Sequence, residues 1–125
     1  MKKKILVIDD SPTLRKVLDF YLKKNNYLVE LANNGKVGLA LMERESFDLI
    51  ILDMQMPIIS GKEVLINMKE KNIKTPLLIL SAEKKEETIE MGLELGALFY
   101  MTKPFKPNDI VEKIKIVFDK INKTV

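Results

Sequence analysis

The 125-residue chain contains no cysteine and no histidine. Without cysteine there is no disulfide framework, no thiolate metal site and no thiol nucleophile. Without histidine, a serine-histidine-aspartate triad and a histidine-ligated zinc are excluded too. Long apolar runs are also missing, and nothing approaches the roughly 20 residues of a membrane-spanning helix. Lys2-Lys3-Lys4 leads only into the short stretch Ile5 to Ile8, too brief for the apolar region of a signal peptide. A cytoplasmic location without membrane insertion is the expectation. Charge of one sign is scarce as well: 21 Lys and Arg against 18 Asp and Glu leave a net +3. The lysines interleave with glutamates rather than gathering with aromatics, which describes a solvated surface and not a nucleic-acid footprint.

What is present, 46% apolar and 31% charged residues, suits one compact soluble domain covering residues 1–125. Its organising stretch runs from Phe47 through Leu49-Ile50-Ile51-Leu52 to Asp53, with Pro57 four residues later. A continuous Leu/Ile run fits a strand buried on both faces, as in parallel sheets covered by helices. Asp53 then stands at the carboxyl end of a central strand, the edge where open α/β sheets bind ligands.

The rest of the chain alternates strands and helices. Lys4 to Ile8 reads as a first strand ending at Asp9-Asp10, and Ser11-Pro12 as a helix start, with Ser as N-cap and Pro at the first helical position. Leu14, Val17, Leu18, Tyr21 and Leu22 fall on one helical face. Tyr27 to Ala32 is shorter and more polar, a strand nearer an edge. Asn33-Asn34-Gly35 marks a turn before a helix over Lys36 to Arg44. Lys62 to Lys71 forms a third helix, Leu77 to Leu80 a fourth strand, Glu83 to Glu94 a fourth helix, and Ala97 to Met101 a last strand. A final helix begins at Pro107 or Asn108 and buries Ile110, Ile114, Val117, Phe118 and Ile121. The fourth helix has poor periodicity and an interior Gly92, which costs roughly 1 kcal/mol relative to Ala. It is expected to be the least firmly held. Met1 and the short tail after Ile121 suggest a stand-alone protein with no effector domain.

On a parallel sheet Asp9-Asp10, Asp53, Ser81 and Lys103 all fall just beyond strand ends. Each has a bland reading: capping acids, a turn hydroxyl, a surface lysine. Tyr100 alone is an ordinary edge-strand aromatic. Together they form a constellation. Hard carboxylate oxygens suit Mg²⁺, with Mn²⁺ as an alternative ion, and the lysine offsets the repulsion among acids. Such a set suits phosphoryl transfer, which depends mostly on positioning and charge neutralisation, with an Asp as nucleophile.

These residues resemble a receiver domain of a bacterial two-component response regulator, of the stand-alone, chemotaxis-regulator-like kind. The likeness rests on Ile8-Asp9-Asp10-Ser11, on Leu52-Asp53-Met54-Gln55-Met56-Pro57 with Gly61, on Leu80-Ser81-Ala82, and on Tyr100-Met101-Thr102-Lys103-Pro104-Phe105. It implies a flavodoxin-like, doubly wound (βα)5 fold with strand order 2-1-3-4-5. It also implies a phosphorylation-activated switch rather than a conventional enzyme. Asp53 takes a phosphoryl group from a sensor histidine kinase or a histidine phosphotransfer protein. Asp10 and Asp53 bind Mg²⁺ directly, Asp9 mostly through water, and Gln55 by its backbone carbonyl. Ser81 and Lys103 hold phosphoryl oxygens, Tyr100 is the switch aromatic, and Gln55 and Glu83 tune dephosphorylation. The Lys103–Pro104 peptide is often cis in such proteins. The response appears on the surface of the fourth helix, last strand and last helix, where a downstream protein binds; the domain is a monomer or a weak phosphorylation-dependent dimer.

One departure concerns that dimer. Related transcription factors carry an acid after the Gly-Ala before the switch aromatic, whereas Gly96-Ala97-Leu98-Phe99-Tyr100 is apolar there. Leu98 and Phe99 either form an apolar docking patch or pack inward. Other classes compete less well. A haloacid-dehalogenase-like phosphatase needs a second acid where Gln55 stands, and a cap domain. A flavodoxin-like cofactor binder would meet repulsion between its phosphate and Asp9-Asp10. A degenerate scaffold would not need every site position intact.

Overall fold

The computed structural model describes residues 1–123, with side chains described as far as Ile121. Five strands, β1 (Lys4–Ile8), β2 (Leu28–Ala32), β3 (Leu49–Leu52), β4 (Leu77–Ser81) and β5 (Phe99–Thr102), alternate with five helices. The helices are α1 (Pro12–Lys24), α2 (Gly35–Arg44), α3 (Gly61–Glu70), α4 (Glu86–Glu94) and α5 (Pro107–Lys123). All pairings are parallel, in the order β2-β1-β3-β4-β5. The expected doubly wound architecture is therefore the observed one.

Strand alternation divides the core into two layers. Leu6, Ile8, Ile50, Leu52 and Ile79 face a layer closed by α2, α3 and α4 side chains such as Leu39, Val64 and Met68. Ile5, Val7, Leu49, Ile51, Leu78 and Leu80 face the other layer, closed by Leu18 and Leu22 of α1 and by Ile110, Ile114 and Val117 of α5. That is why the central strands lack polar alternation: both of their faces are covered. The chain leaves β1 toward one side of the sheet and returns to its other side at β3, so their carboxyl ends flank the topological switch point.

Several element limits differ from the sequence expectation, for local reasons. Helix α4 starts at Glu86 rather than Glu83, because residues 83–85 are drawn into hydrogen bonds above the sheet. Its N-cap, Lys85, supplies no side-chain cap, unlike Ser11, Asn34 and Ser60 at the starts of α1, α2 and α3. Strand β5 starts at Phe99, not Ala97, since Gly96 adopts φ +114° and reverses the chain first. Gly92 is more than a lapse in helix propensity. A Cβ there would lie 2.6 Å from Ile79 Cδ1 and 3.5 Å from the Tyr100 ring, so the missing side chain lets α4 settle onto β4 and β5. Phe99 packs inward, half-buried beneath the ammonium groups of Lys113 and Lys120, whereas Leu98 stays 48% exposed.

Candidate functional site

Four loops at the carboxyl edge bring the expected residues together. Asp9 follows β1 and is 2% exposed; Asp53 follows β3 and is 5% exposed. With the exposed Asp10 they offer three carboxylate oxygens all within 4.8 Å of one another. Two unit charges at that separation repel by roughly 3 kcal/mol at an effective dielectric near 20, so the cluster requires a cation. Lys103, from the loop after β5, places Nζ 3.0 Å from Asp9 Oδ2 and 3.2 Å from Asp53 Oδ2. One ammonium thus bridges the two buried acids.

The acids are not equivalent. Both Asp9 oxygens accept protein donors: Oδ1 from the Ser11 N–H at 2.9 Å and Oδ2 from Lys103. Burial raises the Asp9 pKa, and the bonds from Ser11 and Lys103 oppose that rise without cancelling it. For Lys103 burial acts downward, but the hydrogen bond to Asp9 and the charge of Asp53 outweigh it, and the net shift is upward. Asp53 Oδ1 accepts the Gln55 N–H at 3.1 Å, which holds that peptide beside the acids. Asp10 accepts no donor from the described residues and keeps its carboxylate open to solvent.

The other sequence candidates ring this centre. Ser81 ends β4 fully buried, its Oγ accepting the Glu83 N–H at 3.2 Å. The Glu83 carboxylate accepts from Gln55 Nε2 at 3.0 Å and from the Lys85 N–H at 2.9 Å, joining the loops after β3 and β4. Tyr100 points inward and donates its hydroxyl to the Glu83 carbonyl at 2.6 Å. Burial raises its pKa, a hydrogen bond with Ser81 pulls it down, and the charges of Glu83 and Asp53 add to the rise. The Lys103–Pro104 peptide is cis.

Two contributors escape a reading of the sequence. Arg15, on the first turns of α1, returns its guanidinium to the Asp9 carbonyl at 2.7 Å and props the acid from behind. Its only signal is a position six residues after Asp9, on the helix that Asp9-Asp10 introduces. The second is Ile58. The Ile59 N–H bonds back to the Pro57 carbonyl at 2.9 Å around Ile58 at φ +73°, a γ-turn of the rare, positive-φ kind. Among the described residues the other non-glycine positions with positive φ are Asn26 and Asn72, which tolerate it; a β-branched residue does not. Because Ile58 is 70% exposed, its replacement sacrifices little packing. Ile58→Asn is expected to stabilise the protein by about 1 kcal/mol, raising its melting temperature by several degrees. An unchanged or lower melting temperature contradicts strain at this turn.

A comparison with protein families now has a geometry to meet. The model for the response regulator receiver domain matches residues 5–115. The chain belongs to that family. Among curated relatives, this receiver domain is 38% identical over 117 residues to the alkaline phosphatase synthesis transcriptional regulatory protein PhoP of Bacillus subtilis, covering 94% of the chain and 49% of PhoP. It is 36% identical to the transcriptional regulatory protein ResD of the same organism, covering 97% of the chain and 50% of ResD. The chain thus spans about half the length of the curated relatives it matches. Among solved structures, a CheY-like receiver domain protein from Methanospirillum hungatei superposes with a TM-score of 0.94 at 30% identity, covering both chains completely. Family membership sets aside the phosphatase and flavodoxin-like alternatives. The acid cluster fits a metal site of receiver type, and among the described residues no helix is long and apolar enough to cross a membrane.

Proposed function

We propose that this receiver domain is a phosphorylation-activated switch whose phosphoacceptor is Asp53, and that a histidine kinase or histidine phosphotransfer protein supplies the phosphoryl group in the cytoplasm. The observation that carries this is the Lys103 ammonium bridging Asp53 and Asp9 while Asp10 stands open beside them. A buried carboxylate with an ammonium at hydrogen-bond distance is held in one orientation, and that cation is placed to neutralise an incoming phosphoryl oxygen.

The donor set fits Mg²⁺, with Mn²⁺ as an alternative. It is all oxygen, carries three charges, and includes one solvent-facing carboxylate that spends nothing on protein donors. The ion would supply Lewis-acid neutralisation of the phosphoryl charge there. Asp10 and Asp53 would hold it directly, together with the Gln55 backbone carbonyl. Asp9, with both oxygens engaged, would act through water.

In the transfer, an Asp53 carboxylate oxygen attacks phosphorus, the P–N bond to the donor imidazole breaks and a P–O bond forms. The leaving imidazole keeps the electron pair. Lys103 shifts its hydrogen bonds toward the new phosphoryl oxygens. The Ser81 hydroxyl can donate to another once its loop moves in. The acyl phosphate carries about −1.5 to −2 charges where the carboxylate carried one, and its new oxygens draw the Ser81–Glu83 loop down. Tyr100 and the weakly capped start of α4 are tied to that loop through the Glu83 carbonyl and the Lys85 N–H. In this way a local charge reaches the α4-β5-α5 surface, where a downstream protein would bind. Gln55 and Glu83 span the mouth of the site and control water access, so both tune dephosphorylation. The domain is then a phosphoacceptor that promotes only its own phosphorylation and slow hydrolysis. Its oligomeric form would be a monomer or a weak phosphorylation-dependent dimer.

Incubation with acetyl phosphate and Mg²⁺ tests the proposal. The intact mass is expected to rise by one phosphoryl group, and excess EDTA to prevent it. Asp10→Asn is expected to raise the Mg²⁺ concentration for half-maximal phosphorylation at least about tenfold. A rise in mass that ignores EDTA, or a variant with an unchanged Mg²⁺ requirement, contradicts the assignment.

A further inference from the structure

Away from the site, β2 is an edge of the sheet, guarded only by its short length and by Glu30 at its centre. Edge strands normally carry lysine, proline or a bulge that discourages a further strand. Here the sequence is Leu28-Val29-Glu30-Leu31-Ala32, with Leu28 47% and Leu31 36% exposed. The pairing with β1 determines which backbone groups are free. The Leu28 N–H donates to the Lys3 carbonyl, and the Ala32 carbonyl accepts the Asp9 N–H. In a parallel ladder alternate residues bond to the same neighbour. Residues 28, 30 and 32 therefore face β1, and the N–H and C=O groups of Val29 and Leu31 face outward.

Alongside this edge runs one face of α1. Lys16 shares a cleft of about 370 Å³ with Leu31, and Lys23 shares one of about 500 Å³ with Leu28 and Val29. Phe20 lies four residues after Lys16 and three before Lys23, hence on the same helical face, and it is 61% exposed. The two clefts flank the open strand: Leu31, opposite Val7, lies on the α1 side of the sheet with Phe20 nearby on that helix face, and Leu28, opposite Lys4, points to the other side. Lys2, Lys4, Arg15, Lys16 and Lys23 line the two clefts together with the acid Glu30, and Asp19 stands on the same face of α1 as Lys16 and Lys23. Glu45 engages Lys4 and Asp19 engages Lys23, but Lys2 and Lys16 have no ion-pair partner among the described residues.

We propose that this edge docks an extended, acidic segment of a partner protein, which adds a sixth strand beside β2. The main chain of that segment bonds to Val29 and Leu31. On the α1 face of the sheet its side chains rest on Leu31 and Phe20 and meet Lys16, and on the opposite face they rest on Leu28 and meet Lys2. A second copy of the chain is a poorer occupant. It brings an equally basic edge, and antiparallel pairing centred on Glu30 sets two carboxylates face to face. The surface lies apart from the phosphorylation chemistry and does not depend on that assignment.

Amide hydrogen exchange on the whole chain, read by NMR, tests this with two short peptides, one repeating Glu-Glu-Val-Val and the other Lys-Lys-Val-Val, so that both faces of the added strand carry charged and apolar side chains. The Glu/Val peptide is expected to slow exchange at Val29 and Leu31 at least about tenfold, and the Lys/Val peptide to leave it unchanged. Lys16→Glu combined with Lys2→Glu is expected to weaken binding about tenfold, and Phe20→Ala to weaken it as well. Val29→Pro removes an outward N–H without touching the ladder to β1 and is expected to abolish protection at Leu31. Equal response to both peptides, or binding that leaves Val29 and Leu31 unprotected, overturns the proposal. So does a dimer in sedimentation that protects the same two amides without peptide.

Discussion

Asp53→Asn is expected to give a folded protein that takes up no phosphoryl group from acetyl phosphate at any Mg²⁺ concentration. The amide has the shape of the carboxylate, and its one oxygen can still accept the Gln55 N–H, so the loop after β3 keeps that anchor; its NH2 cannot accept from Lys103, which still has Asp9. What it loses is the negative oxygen that forms the P–O bond, and an amide is no nucleophile for phosphorus. The neighbouring acids cannot substitute. Asp9 has both oxygens engaged by Ser11 and Lys103, and Asp10 is turned toward solvent. Intact-mass measurement beside a thermal melt separates the outcomes. Lost phosphorylation with a preserved melt is the prediction, and phosphorylation at the original rate assigns the chemistry elsewhere.

Gly61→Ala is expected to be the most damaging small substitution near the site. A Cβ there would lie 2.5 Å from Met54 Cα and 2.6 Å from the Asp53 carbonyl oxygen, and the Gly61 N–H donates to the Met54 carbonyl at 3.0 Å. These obstacles are backbone, with no flexible side-chain end to swing aside. Relief requires moving either the start of α3 or the peptide that carries Asp53. The expected cost is about 3 kcal/mol, or roughly 12 °C in melting temperature for a domain of this size. Phosphorylation at saturating Mg²⁺ slows as well, because the displaced peptide is the one that orients the acceptor. Gly38→Ala is the control. Its Cβ would meet only the end of the Ile8 side chain, at 2.5 Å from Cδ1, so it costs stability without reaching Asp53. If Gly61→Ala melted like the parent and were phosphorylated equally fast, this close approach would not matter.

The alternation of buried runs and amphipathic helices was readable because each element declares its own covering. Leu49 to Leu52 is apolar throughout and has helices on both sides, and the α5 positions follow a helical period into one core layer. The site was readable for a related reason: Asp9, Asp10, Asp53, Ser81 and Lys103 each terminate a strand or follow one closely, and parallel strands bring their ends to one edge. Strand order rested on family likeness, since nothing in the apolar runs distinguishes β2 from β5 as the neighbour of β1. The start of α4 differs because glutamates and lysines favour helix locally, while Glu83 is claimed by Gln55 and Tyr100 from distant parts of the chain and by the nearby Ser81. Gly92 was taken as a weakness for the same reason. Its role depends on the distance to Ile79, which no propensity encodes. Ile58 is the clearest case, a residue whose type argues against the φ that its loop imposes.

The most direct measurement is to phosphorylate the protein with acetyl phosphate and Mg²⁺, reduce the acyl phosphate with borohydride, and map the peptides by mass. Reduction converts a phosphorylated aspartate to homoserine and so records where the phosphoryl group sat. The account predicts homoserine at position 53 alone. Homoserine at position 9 or 10, or a phosphorylated protein that borohydride does not change, contradicts it.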